Sequence, residues 1–185
     1  MIEANIKDAE GKMTKSLEAL GREILTIRTG RASPALVDKI PVEYYGNPMP
    51  LNQLATITVP EARMIIIQPW DRSIINAVEK AIQKSELGLN PGNDGQLIRV
   101  PIPPLNEERR REYARLVKRY AEDAHVAVRN IRREQMDRIK GLEKEKKISA
   151  DEARRGGEQL QKVADRFIAL VDQMAARKEA EIMEV

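Results

Sequence analysis

The sequence predicts an α+β protein: an elongated three-helix bundle interrupted by a small inserted β/α/β domain. Three observations predict it. Long segments at both ends carry apolar residues at helical spacing. The stretch between them is rich in proline, glycine and short β-branched runs. The first helical stripe has no helical partner near it in the chain, so it must reach across the middle stretch to be buried.

Each element follows from its local pattern. Over residues 2–28, Ile2, Ile6, Ala9, Met13, Leu17, Leu20, Ile24 and Ile27 step by three or four, and Thr29-Gly30 ends the run. Residues 40–45 read as a strand stopped by Gly46-Asn47-Pro48, and 54–59 and 63–68 as two more strands. Residues 71–86 read as a helix with Ile74, Ile75, Val78 and Ile82 inward, and 96–101 as a last strand. The Gly-rich loop at 88–95 lacks the setting and the lysine of a phosphate loop and is expected to be an ordinary turn.

Asn106, followed by Glu107 and Glu108, suits the start of a long helix to about residue 145. Its stripe is Tyr113, Leu116, Val117, Tyr120, Ala124, Val128, Ile131, Ile139 and Leu142, interrupted by Gln135. Ser149-Ala150-Asp151-Glu152 is a capping-box pattern that opens a third long helix. Leu160, Val163, Phe167, Leu170, Val171 and Met174 form its stripe. Gly156-Gly157 is expected to weaken its first turns by about 1 kcal/mol per glycine relative to alanine, loosening that tip of the bundle.

The predicted organisation is therefore discontinuous. Residues 1–29 and 106–185 form the bundle and 30–105 the insert, joined through segments 29–32 and 101–105. Gly30 and Arg31 on one connector, with Pro103 and Pro104 on the other, read equally well as a hinge or as a fixed elbow.

Composition narrows the function. Of 185 residues 42% are hydrophobic and 33% charged, which fits long helices with solvated faces. Aromatics are only 3%, so base stacking on aromatic rings is an unsuitable mode of RNA recognition. The absence of cysteine excludes disulfides, thiolate metal sites and cysteine nucleophiles. No secretory leader and no apolar run of about 20 residues is visible, so a cytoplasmic location is expected. The single histidine, His125, is expected on the charged, outer side of its helix, without metal-ligand partners at a suitable spacing. No nucleophile–base constellation is apparent, so no enzyme activity and no metal or other cofactor is expected.

The strongest chemical signal lies on the 106–145 helix. With the apolar stripe at zero and about 100° per residue, Arg111, Arg115, Lys118, Arg129, Arg133 and Lys140 fall between about 120° and 180°. Arg132 sits on the shoulder of this band. Glu108, Glu112, Asp123, Glu134 and Asp137 occupy the other flank, and Glu122 is the one acid within the band. A mixed solvated surface would scatter the two signs. Their separation, with arginine concentrated at 129, 132 and 133, fits a phosphate backbone. Net charge is only +3, so any such site depends on this segregation.

Several motifs then resemble one family. Thr26-Ile27-Arg28-Thr29-Gly30-Arg31-Ala32-Ser33-Pro34 and Val42-Glu43-Tyr44-Tyr45-Gly46 are similar to the opening signature of bacterial ribosome recycling factors. So are Asp71-Arg72-Ser73, Leu87-Gly88-Leu89-Asn90-Pro91, Pro103-Pro104-Leu105, and the run from Val126 through Arg133. The resemblance covers the chain in order. Asn106 stands where threonine is commoner, and Met136 follows the arginine cluster where a polar residue is expected.

The resemblance implies an L-shaped protein and a role in ribosome recycling. It implies binding to large-subunit rRNA on the post-termination ribosome, followed by separation of the subunits with elongation factor G and GTP. It implies no catalysis and no nucleotide bound by the chain itself. By position it implies rRNA contacts at Arg129, Arg132 and Arg133, and RNA or junction roles for Arg28 and Arg31. Arg111, Arg115 and Lys118 join these as RNA-binding candidates from the charge pattern. The competing reading is a structural or chaperone-associated coiled-coil interaction protein. That reading requires dimerisation through an exposed stripe, whereas a bundle closed within one chain is expected to stay monomeric.

Overall fold

The computed structural model describes residues 1–184. By internal contacts these form two compact units, Met1–Thr29 with Asn106–Glu184, and Gly30–Leu105.

The first unit contains three long helices, α1 (Ile2–Leu25), α3 (Glu107–Lys144) and α4 (Ala150–Met183), each packed on the other two. α1 ends three residues before the expected limit because the Thr26 and Ile27 amides close a tight last turn onto Glu23 and Ile24. Asn106 caps α3 by accepting the Arg109 amide at 2.8 Å. Ser149 and Glu152 form the reciprocal box on α4, and the Ser149 amide holds the Glu152 carboxyl below its usual range.

Alanines on the seams set how closely these helices approach. Ala9, Ala153 and Ala164 are buried beside Met13, Val128, Ile139, Leu160 and Phe167, and Ala121, Ala124 and Ala175 are buried elsewhere along the helices. The α4 stripe follows these small residues, so Leu170 points outward at 36% exposure, contrary to its expected inward position. Gln135 does occupy a stripe position. It is fully buried and donates from Nε2 to Asp8 Oδ2 at 2.5 Å.

Gly156 and Gly157 also differ from expectation. A Cβ at Gly156 would come within 3.0 Å of Ile2 Cγ2, and one at Gly157 within 3.3 Å of Met136 Sδ. The pair therefore gives α4 a flat surface on which Ile2 of α1 and Met136 of α3 rest. Met136 is an apolar contact of the bundle, which explains its place after the arginine cluster. The helix-propensity cost of the glycines is offset by contacts that any larger side chain would displace.

The second unit holds a hairpin, β1 (Pro41–Tyr44) with β2 (Asn47–Pro50), and an antiparallel sheet. The sheet has β3 (Ala55–Glu61), β4 (Met64–Pro69), β6 (Ile98–Pro101) and β5 (Gly92–Asn93) in that spatial order. One helix, α2 (Ile75–Lys84), buries Ile75, Val78 and Ile82. The first strand stops before Gly46 as expected, but Asn47 and Pro48 also open β2, since prolines are tolerated on the edge of a two-stranded ribbon. The loop expected to be an ordinary turn contributes β5 to the sheet edge, and the 71–86 helix begins as a 3₁₀ turn at Arg72–Ile74.

The chain enters and leaves this unit at one place. The Ala32 amide bonds to Ala62 O at 2.7 Å and the Ile102 amide to Arg63 O at 2.8 Å. Gly30 has φ +76°, and a Cβ there would lie 3.3 Å from the Leu105 amide nitrogen. Glycine is therefore required both for the left-handed backbone and for the close approach of the returning strand.

Two outcomes test this packing. Gly11 in α1 has open space around it, so Gly11→Ala is expected to stabilise the protein by roughly 0.5–1 kcal/mol. Gly156→Leu is expected to destabilise it by about 1–3 kcal/mol, because Ile2 and Ile139 occupy the space, and urea titration reads both changes.

The small unit also has an acid-sensitive turn. Asp94 accepts the Leu97 and Gln96 amides at 2.8 and 3.0 Å and pairs with Arg99, which together lower its carboxyl from 3.8 to about 2. A lowered folded value means that this contribution is whole above pH 3.8 and is lost as pH falls through about 2. Asp94→Asn is expected to flatten that part of the acid unfolding curve, and an unchanged curve would show that the turn contributes nothing.

Candidate nucleic-acid interface

α3 runs for 38 residues, roughly 57 Å at 1.5 Å per residue, and the two other helices divide its surface into sectors. Its apolar stripe faces inward through Val117, Ala121, Ala124, Val128, Gln135 and Ile139. One shoulder meets α1, where Glu134 accepts from Lys12 at 3.0 Å and from Arg138 at 2.8 Å. Asp8 on α1 completes this cluster, paired with Lys12 and Arg138 at 3.3 and 3.2 Å. The Gln135 amide, aided by Lys12 and Arg138, holds the Asp8 carboxyl below its usual range against the opposing effect of burial. Part of the acidic flank is thus neutralised at the α1–α3 seam.

The opposite shoulder meets α4. Arg132 is half-buried there and donates from Nη1 to Gln161 Oε1 at 2.8 Å. Sequence reasoning missed Gln161, because a lone glutamine on a charged helix carries no signal of its partner. One of five guanidinium N–H groups is directed at it, which fixes the plane of the fork.

His125 lies on the same shoulder, and its expected place on the outer side is corrected. Its side chain is only 17% exposed, with Nε2 at 2.8 Å from Asp172 of α4 and Nδ1 at 3.5 Å from Glu122. The packing of α4 covers a position that a single-helix projection counts as outside.

Beyond this shoulder stands the basic band. Arg111, Arg115, Lys118, Arg129, Arg133 and Lys140 are all exposed along it. Arg111 pairs with Glu107 and Arg129 with Glu122 at 3.4 Å, both across open surface where such pairs are worth about 0–1 kcal/mol. A phosphate oxygen can displace partners held that weakly. Arg28 and Arg31 are exposed but lie outside α3, after the end of α1 and at the entry to the second unit. Gly30, Pro103 and Pro104 sit beside Arg31 or on the returning strand.

Among the described residues no group of three or more His, Cys, Asp or Glu side chains is placed to hold a metal. No described helix is long and apolar enough to cross a membrane.

Three long helices, one bearing an exposed basic face, and a small antiparallel α+β unit define a two-unit α+β protein. A sequence model described as ribosome recycling factor matches residues 20–183, and the chain belongs to that family. It is 57% identical over 180 residues to the ribosome-recycling factor of Halalkalibacterium halodurans, covering 97% of each chain. It is 52% identical over 185 residues to that of Carboxydothermus hydrogenoformans, covering all of both. Among solved structures it is similar to a solution structure of a ribosome recycling factor, with TM-score 0.74, 48% identity, and coverage of 100% of this chain and 98% of the other. A further likeness, at TM-score 0.65 and 47% identity over the full length of both chains, is to the T. thermophilus factor. That protein is described with E. coli elongation factor G bound to the E. coli post-termination complex.

Proposed function

We propose that this chain binds the ribosome after termination through the outer face of α3. With elongation factor G and GTP, it then promotes separation of the ribosome into subunits and release from mRNA. The observation that carries the RNA contact is the partition of charge around α3. Glu134 on one shoulder is engaged by Lys12 of α1, while the basic band beyond the α4 shoulder stays exposed. The family and the described company of its relative, the post-termination complex and elongation factor G, supply the biological setting.

In this reading Arg129, Arg132 and Arg133 contact rRNA phosphates, with Arg132 the best oriented because Gln161 holds it. Arg111, Arg115 and Lys118 extend the contact along the rod, and Arg28 and Arg31 add to it near the junction. The chain itself needs no catalytic group and no bound nucleotide, since the energy comes from the partner GTPase. It works as a monomer in the cytoplasm, because three apolar stripes are closed within one chain. Gly30, Arg31, Pro103 and Pro104 form the hinge about which the small unit is driven. In favour of this, the chain enters and leaves the unit at one point, at the Ala62–Arg63 carbonyls.

The primary test is sedimentation of post-termination ribosomes with this protein, elongation factor G and GTP, each omitted in turn; subunits are expected only when all three are present. Arg132→Glu is expected to weaken ribosome binding at least about tenfold, close to 1.4 kcal/mol, with the bundle still folded. Unchanged affinity at physiological salt would remove Arg132 from the site. Affinity should also fall steeply with salt, and Arg129→Gln should reduce the slope of log K against log salt by about one. A flat salt response would point to protein contacts instead.

A further inference from the structure

The guanidinium groups of the bundle are held in two different ways. Several meet carboxylates: Arg138 pairs with Asp8 and Glu134, Arg154 with Asp151 and Glu158, and Arg166 with Glu10. Each such pair turns the cation toward an acid of its own chain and offsets its charge. Arg132 is held otherwise. It is half-buried, pairs with no carboxylate among the described residues, and donates from Nη1 to the amide oxygen of Gln161 at 2.8 Å.

Gln161 is held in its turn. Its Nε2 donates to Asp165 Oδ1 at 2.9 Å, one turn further along α4. The three side chains thus form a chain across the α3–α4 seam, from Asp165 through Gln161 to Arg132. Their chemistry fixes its direction. A guanidinium only donates and a carboxylate only accepts. The Gln161 amide therefore has one satisfied orientation, oxygen toward Arg132 and nitrogen toward Asp165. The reverse would set N–H against N–H and oxygen against oxygen. Glutamine and aspartate four residues apart are also a favourable pair on a helix surface.

The neutrality of the amide matters as much as its direction. A half-buried guanidinium needs acceptors, because an unpaired N–H out of water carries a desolvation cost. A carboxylate at position 161 would supply an acceptor and neutralise the cation. Gln161 supplies one and leaves the positive charge whole. Asp165 is exposed on α4 and stands one side chain removed from the guanidinium. The remaining N–H groups of the fork keep both direction and charge for a phosphate. Ordering the fork in advance also lowers the entropy cost of immobilising a long side chain on binding.

We propose that Asp165 and Gln161 are positioning residues for the RNA contact: Asp165 sets the Gln161 amide, and the neutral amide aims Arg132 without cancelling its charge. This rests on the RNA contact proposed above, and it requires neither residue to touch RNA.

The test measures ribosome binding by the full chain over a salt series, with urea titration of each variant to check the fold. Gln161→Leu removes the acceptor and is expected to weaken binding about three- to tenfold, with the slope of log K against log salt unchanged. Gln161→Glu should weaken it about tenfold or more and reduce that slope by about one, since Arg132 is then paired within the protein. Asp165→Asn separates positioning from the general field by sign. Removing a negative charge strengthens RNA binding through the field, whereas loss of the amide's anchor weakens it. A loss of about two- to fivefold is expected, with Asp165→Glu close to wild type. In an Arg132→Gln background, Gln161→Leu should change affinity by less than about twofold. Wild-type affinity in Gln161→Leu, or its full effect persisting without Arg132, would overturn the assignment. So would tighter binding by Asp165→Asn. If Arg132→Gln alone leaves affinity unchanged, the RNA contact itself fails, and the positioning roles fail with it.

Discussion

Everything in the larger unit depends on burying the apolar stripe of α1. Ala9, Met13, Leu20 and Ile24 are inaccessible to solvent only because α3 and α4 cover them. Those partners lie beyond residues 30–105. Closing a flexible loop of that length costs roughly 4 kcal/mol by chain statistics. The small unit removes most of this cost, because its own fold brings Gly30 against Leu105. α1 is thus returned to α3 as if through a short connection. At Gly30 both the left-handed backbone and the close approach of Leu105 resist a larger residue.

The same packing decides which charges on α3 are available. α1 engages Glu134 on one shoulder, and α4 takes up His125 and orients Arg132 on the other. The basic band lies outside both seams. A net charge of +3 therefore conceals an ordered division, and the bundle that creates the core also creates the electrostatic face. Gly156 and Gly157 belong to this design, since they let Ile2 and Met136 close on α4 near the arginine cluster.

Much of this was legible in the sequence, and the failures have physical causes. The α+β fold class followed from apolar spacing and from Ser149-Ala150-Asp151-Glu152, because helical periodicity and caps are local properties. The hairpin strand at Asn47–Pro50 was missed because its prolines oppose it locally while pairing with β1 maintains it. Leu170 was misplaced because hydrophobicity outweighed alanine in a stripe whose geometry is set by close helix approach. His125 was misread and Gln161 overlooked for one reason: their partners are on another helix, and a single-helix projection does not show which shoulder a neighbour will cover.

The central claim is that one face of α3, and not its neighbour, lies against ribosomal RNA. The chain has no cysteine, so a single one can be introduced to carry a photo-crosslinker. Lys118→Cys and Lys140→Cys on the basic band are compared with Asp123→Cys on the acidic flank of the same helix. The account predicts crosslinks to large-subunit RNA from positions 118 and 140 and little from 123. Equal crosslinking from all three positions, or crosslinks to protein alone, would contradict it.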